Sequence, residues 1–157
     1  MPKAGAWLFT AGVVPLAAVC AALVSQHVFN MQPCPWCVLQ RVIFVAMALA
    51  ALPGLLLRTP AMRRLSAGLM ALLALCGMAA ALWQHFVAAS STSCKLTLAD
   101  RIVGGLGLDS LWPEVFAAYA SCADAAVKIA GLPYEFFSLA LFVALGALAV
   151  QVWRHPR

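Results

Sequence analysis

The spacing of charges constrains this chain more than any other feature. No Asp, Glu, Lys or Arg lies between Lys3 and Arg41, so positions 4 to 40, 37 residues, carry no formal charge. Three more charge-free intervals follow: 16 residues between Arg41 and Arg58, 30 between Arg64 and Lys95, and 18 between Glu135 and Arg154. A helix needs roughly 20 apolar residues to cross about 30 Å of hydrocarbon. The first interval holds one such span plus a polar stretch, Ser25 to Gln32, and the third holds another plus Ser90 to Ser93. The fourth is just long enough, and the second suffices only if its helix starts near Cys37 and carries Arg41 within it. The pattern predicts an all-α membrane protein, a four-transmembrane-helix bundle forming one integral domain over residues 1–157. Its spans are expected near 7–25, 37–57, 65–86 and 134–153. Outer loops are expected at about 26–36 and 87–133, the second long and partly flexible, with an inner loop at about 58–64. Composition agrees: 65% of residues are hydrophobic and 10% charged, against about 25% charged in an ordinary soluble domain. So much apolar surface excludes an ordinary soluble fold and a disordered tail.

Four spans put both termini on one side. Lys3, Arg58, Arg63, Arg64, Arg154 and Arg157 share that side with no acid among them, while Asp100, Asp109, Glu114, Asp124 and Glu135 fall on the other side or at its membrane edge. Short loops rich in Lys and Arg stay in the cytoplasm, so both termini are expected there. The net charge of +5 is then a topology signal. No basic stripe interleaves with exposed aromatics, and no nucleic-acid partner is expected. Met1 to Cys20 has the basic start and apolar run of a secretory leader. Val19 is large for a cleavage site, and loss of this segment would upset the sorting of charges, so it is read as the first span. The Pro60 hairpin makes spans two and three antiparallel neighbours. In the long loop, Gly104, Gly105 and Gly107 predict irregular backbone, and Leu111, Val115, Phe116 and Tyr119 recur at helical spacing. That stripe suits either the membrane surface or packing over the helix ends. One weak internal echo exists: Gln26-His27 and Gln84-His85 end the first and third spans on the same side.

The six cysteines sort by side. Cys34 and Cys37 fall in the first outer segment, Cys94 and Cys122 in the second, and Cys20 and Cys76 inside spans, where they read as small apolar packing residues. An even number on the outer face of a bacterial-type membrane is where disulfides persist. Pro35 forces Cys34 toward extended backbone and suits the first helical position. Cys34 is therefore the expected N-cap of the second span, and Cys37 a first-turn residue. Unpaired N–H groups and the helix dipole there favour a thiolate. The small ring of a CxxC disulfide adds little loop-closure stabilisation, which suits a redox device better than a staple. A c-type haem site would place His after the second cysteine, where Val38 stands. A four-cysteine zinc site competes, but its thiolates would have to escape oxidation, and no metal is expected. Arg41 lies one turn below Cys37 on the same helix face. An arginine just inside hydrocarbon is costly without snorkelling or a partner. It is either an interfacial anchor or a fixed cation for a thiolate or a reduced quinone oxygen.

These residues carry a resemblance. Gln26-His27-Val28 and the run Pro33-Cys34-Pro35-Trp36-Cys37-Val38-Leu39-Gln40-Arg41 resemble the signature of the disulfide bond formation protein B (DsbB) family. The four spans, the later pair of cysteines, Ser121-Cys122-Ala123, and Gly131-Leu132-Pro133 before the last span are similar too. The DsbA–DsbB–quinone system keeps the bacterial periplasm oxidising. The resemblance implies a multi-pass enzyme of the Gram-negative inner membrane, a quinone-dependent protein-disulfide oxidoreductase with its cysteine pairs periplasmic. It would reoxidise a DsbA-like thiol oxidase. By position, Cys94 would form the mixed disulfide with that partner, Cys122 would relay to Cys34, and Cys37 would pass electrons to ubiquinone or another membrane quinone such as menaquinone. Arg41 would contact the quinone, with His85 a second contact or an interfacial anchor. Two other readings compete: a DsbB-like paralogue serving another thiol oxidase, or a vitamin K epoxide reductase-type protein; and a non-catalytic membrane protein whose cysteines staple its loops. Four outer cysteines allow three pairings, and the residues by themselves leave the connectivity open.

Overall fold

Inside hydrocarbon every backbone N–H and C=O needs an internal partner, which leaves an uncharged apolar run little choice but helix. The computed structural model describes residues 3–90 and 97–156. Among these are four helices long and apolar enough to cross a membrane: α1 (Lys3–Val28), α2 (Pro35–Leu56), α3 (Pro60–Phe86) and α7 (Tyr134–Arg154). They stand in the order α1, α2, α3, α7 around the bundle, with α1 and α7 meeting far less closely than α3 and α7. Large apolar side chains cover the outside: Phe9, Leu49, Leu72 and Leu75 are each about 60% exposed. A soluble protein would hide such a surface, and a lipid-facing one needs it.

Small residues let the helices close up, as expected where lipid and protein are equally apolar. Along α3, Ala67, Met70, Ala74, Gly77 and Ala81 form one buried stripe. At Gly77 the ring of Phe142 occupies the place a Cβ would take. Phe142 in turn stacks on Phe44 at 4.2 Å between centroids and 7° between planes. The matching stripe of α1 runs through Leu8, Ala11, Pro15 and Val19.

The connection between α2 and α3 is shorter than the loop expected at 58–64. Thr59 caps α3 by accepting from the Met62 N–H at 3.3 Å, and Pro60 is its first helical residue. Proline at that position gives up only an N–H that has no helical partner, so the helix begins there.

The described part of the long loop, from Thr97, is compact. α4 (Leu98–Gly105) starts with a capping box between Thr97 and Asp100. Short helices α5 (Leu108–Leu111) and α6 (Pro113–Phe116) follow. The expected continuous stripe of Leu111, Val115, Phe116 and Tyr119 is broken, because Trp112 leaves helical geometry before Pro113 and Ala117 is extended. Leu111 and Tyr119 are exposed. Phe116 instead packs with Val103 on Val38 of α2, closing the loop over the helix end. A two-residue hairpin, β1 (Lys128–Ile129) and β2 (Leu132–Pro133), leads into α7. Its turn residues Ala130 and Gly131 both have positive φ, 52° and 82°, the backbone that suits tight hairpins.

Candidate functional site

Pro33 and Pro35 bracket Cys34 and hold it extended (φ −87°, ψ 166°) as the N-cap of α2. Its sulfur does the work usually given to a Ser or Asp oxygen, accepting from the Cys37 N–H at 3.3 Å and so satisfying one orphan donor of the helix start. Cys37 comes round one turn later, and its sulfur lies 2.8 Å from that of Cys34. Cys34 is fully buried.

The loop brings a third sulfur to the same place. The N–H groups of Tyr119 and Ala120 both donate to the Pro33 carbonyl, at 3.0 and 3.3 Å. That pair ties the segment before Cys122 to the segment before Cys34. Cys122 is buried too, in one cluster with Cys34 and Trp36, where the Cys34 thiol can bond to its sulfur. The bond from Cys34 holds the Cys122 thiol below its usual pKa, against a burial that works the other way. The same contact pushes Cys34 far up, helped by its contact with Cys37 and by burial. Cys94 lies outside the described residues. Cys20 and Cys76 are exposed on the outer surface of the bundle, so the expectation that they fill space inside it is corrected. Sulfur is apolar enough to face hydrocarbon as readily as another side chain.

Arg41, one turn below Cys37, is 6% exposed. Its Nη1 donates to Gln26 Oε1 at 2.8 Å and to the Val115 carbonyl at 2.9 Å, and Nη2 reaches the Ala22 carbonyl at 3.5 Å. The cation thus joins α1, α2 and the loop, yet every one of these partners is neutral. A buried charge without a counter-charge is expensive, and among the described residues two of the five guanidinium N–H donors have no partner. Gln26 is further fixed by donating to the Glu114 carbonyl at 3.2 Å.

A second amide system meets Cys37 from the other side. Gln40 Nε2 donates to Gln84 Oε1 at 2.7 Å, and Gln84 Nε2 donates to the Cys37 sulfur at 3.2 Å. Both glutamines are buried. His85 turns outward from the same turn of α3, pairs through Nδ1 with Glu135 Oε1 at 2.8 Å, and packs on Phe86 and Phe136. Gln26, which the sequence places in the signature as an anchor or a supporting contact, and Gln84, which motif reading passes over, are therefore both site residues. The echo of Gln-His at the ends of two spans was their signal: in each, the glutamine points inward.

Cys37, Gln40, Arg41 and Gln84 line one cavity of about 790 Å³, within the range of small-molecule sites. It opens where α1 and α7 part. Its walls are apolar, with Ala18, Ala22, Phe44 and Leu141 among them, and Cys37, Gln40, Arg41 and Gln84 supply polarity on one side. Glu135 lines it, while His85 stands behind Glu135 and is not part of the wall. The arrangement can pass a disulfide along three neighbouring sulfurs and hold a planar, apolar molecule with polar oxygens against Cys37 and Arg41.

Known proteins resemble this chain along most of its length. A family model described as disulfide bond formation protein DsbB matches residues 4–152. Disulfide bond formation protein B of Nitrosospira multiformis is 36% identical over 135 residues, covering 83% of this chain and 80% of that protein. The protein of the same name from Herminiimonas arsenicoxydans is 33% identical over 139 residues, covering 88% of this chain and 87% of its own. One from Pseudomonas syringae pv. tomato is 31% identical over 143 residues, covering 90% and 85%. A multi-pass helical chain with a buried CxxC pair at a helix start, a third sulfur beside it and this match along almost its whole length belongs to the DsbB family, the membrane protein-disulfide oxidoreductases that reoxidise DsbA.

Proposed function

We propose that this enzyme takes electrons from a DsbA-type dithiol oxidase through Cys94 and Cys122, passes them to Cys34 and Cys37, and delivers them to a membrane quinone held in the cavity between α1 and α7. The cysteine end faces the periplasm of a Gram-negative cell, and both termini face the cytoplasm, in keeping with the one-sided clustering of Arg58, Arg63, Arg64 and Arg154. The observation that carries the reading is the position of Cys34. It touches both Cys37 and Cys122, so one sulfur can exchange partners between the loop pair and the helix pair without a large movement.

Thiol–disulfide exchange proceeds by attack of a thiolate on sulfur. A partner thiolate attacks Cys94 of a Cys94–Cys122 disulfide, and the partner's second thiol then releases Cys94 and leaves with its own disulfide. The Cys122 thiolate attacks Cys34 of the Cys34–Cys37 disulfide, and the electron pair departs on Cys37. Cys94 then attacks Cys122 to restore the loop disulfide, freeing Cys34 beside Cys37. In the balance, two thiols of the partner and one quinone give one disulfide and one quinol, with two electrons and two protons transferred. The quinone supplies the driving force as a two-electron acceptor. The cavity volume, its apolar walls and the spare donors of Arg41 fit such a ring. Arg41 supplies positive potential where negative charge accumulates, and Cys37 in the wall brings its sulfur to the acceptor.

The test combines purified protein, reduced DsbA and a soluble ubiquinone analogue. Quinone absorbance falls with the intact chain and does not fall with Cys37→Ser. No fall with the intact chain, or an equal fall with Cys37→Ser, refutes the proposal.

A further inference from the structure

The start of a helix by itself favours negative charge on its N-cap sulfur, Cys34. The side chains around the pair favour the other sulfur. Cys34 has the Cys37 N–H as a donor, but it presses against two other thiols. Cys37 faces Gln84 Nε2 at 3.2 Å, with Arg41 one turn below it. The Gln84 amide is not free to turn. Its Oε1 is occupied by Gln40 Nε2 at 2.7 Å, which leaves the N–H end to Cys37. The two glutamines come from different helices, and each belongs to a buried stripe: Trp36, Gln40, Phe44 and Met47 on α2, and Ala74, Gly77, Ala81 and Gln84 on α3. Gln84 meets the first turn of α2 only through the sulfur of Cys37, and among the described residues neither glutamine bonds to a loop, so a purely architectural role for the pair explains little.

We infer that Gln84 is a catalytic residue that donates to the sulfur of Cys37 as it departs from Cys34, and that Gln40 is a positioning residue that fixes the direction of that donor. This rests on the exchange described above. When the Cys122–Cys34 bond forms, the Cys34–Cys37 bond breaks and its electron pair stays on Cys37. A donor waiting at that sulfur makes it the better leaving group. A carboxamide does this without titrating, so the donor is present at every pH. It also adds no charge to oppose Arg41. Among the described residues, the other charged or titratable groups around Cys37 are Cys34 on the same helix start, Tyr134 and Glu135 on α7, and Cys122 and Asp124 in the loop. The cavity wall of α1 contributes none.

The experiment needs neither quinone nor partner. Full-length protein with Cys37 as its only cysteine, the other five replaced by serine, is alkylated with iodoacetamide across a pH series. Removing one hydrogen bond to a charged sulfur, Gln84→Leu slows alkylation near neutral pH by about tenfold and moves the profile to higher pH. Gln40→Leu acts in the same direction but less, because the donor is present and only its direction is lost. Gln84→Met, of nearly the original length, replaces Gln84→Leu if the latter does not fold. A matching protein with Cys122 as its only cysteine shows no change on Gln84→Leu. An unchanged Cys37 profile overturns the inference. Faster alkylation also overturns it, since the carbonyl end would then face the thiol. Neither result touches the quinone assay, so the two readings fail separately.

Discussion

Arg41 gives the sharpest test of how the cavity recognises an acceptor, and the lever is Gln26. In the structure the guanidinium has neutral partners only, among the described residues, and Gln26 Oε1 at 2.8 Å is the shortest. Gln26→Leu deletes that acceptor. A hydrogen bond to a charged group contributes about 1.5–3 kcal/mol, and about 1.4 kcal/mol is a factor of ten. The Val115 carbonyl remains, so the low end applies: about tenfold weaker binding of a quinone analogue, with a lower melting temperature. Gln26→Glu separates position from charge. The carboxylate keeps the acceptor and strengthens the bond to Arg41, but loses the donor to the Glu114 carbonyl. Its melting temperature therefore stays near that of the parent. Its negative charge cancels much of the field that Arg41 projects into the cavity, and quinone binding weakens by about tenfold or more. The assay is quinone-analogue titration followed by tryptophan fluorescence, alongside thermal unfolding in the same detergent. If Gln26→Glu binds the analogue as tightly as the parent, Arg41 is not acting through its charge and the electrostatic argument is refuted.

Arg41→Ala raises the Michaelis constant for the quinone and lowers its rate while leaving mixed-disulfide formation with DsbA nearly unchanged, which trapping with a single-cysteine partner measures. In the reduced chain Cys122 ionises below the usual thiol range because Cys34 donates to it. Its alkylation therefore levels off at lower pH than that of a free thiol, and Cys34→Ala moves the profile up. Gly77→Ala puts a Cβ where the Phe142 ring lies, an overpacking that costs about 1–3 kcal/mol. Thermal unfolding reads this directly, and the displaced Phe142 pushes on Phe44 in the cavity wall, so quinone affinity falls as well.

The helical architecture was legible because its cause is local. A run without charge, long enough for hydrocarbon, permits little besides helix, and the stretch from Lys3 to Arg41 already implies α1 and the approach to α2. Cys34 at the N-cap was legible for the same reason, since flanking prolines act on their immediate neighbours. Where the reading failed, the deciding contact was distant or a local signal was missed. The loop expected at 58–64 is shorter, because Thr59 caps α3 and Pro60 opens it. The stripe from Leu111 to Tyr119 breaks at Trp112 and Ala117, and of its two expected placements the packing over helix ends holds for Phe116, which meets Val38, a residue far away in sequence.

Chain order alone determined that this is a membrane bundle with a thiol pair at a helix start and a cation one turn deeper, because hydrophobic length, proline geometry and helical spacing are properties of short segments. Which groups answer to one another depends on how the helices and the loop pack: Gln26 to Arg41, Gln84 to Cys37, and Cys122 to Cys34. Each of those contacts joins different helices or a helix and a loop. The polar ends of the buried stripes on α1 and α3 meet their partners only when close packing of small residues brings the helices into register.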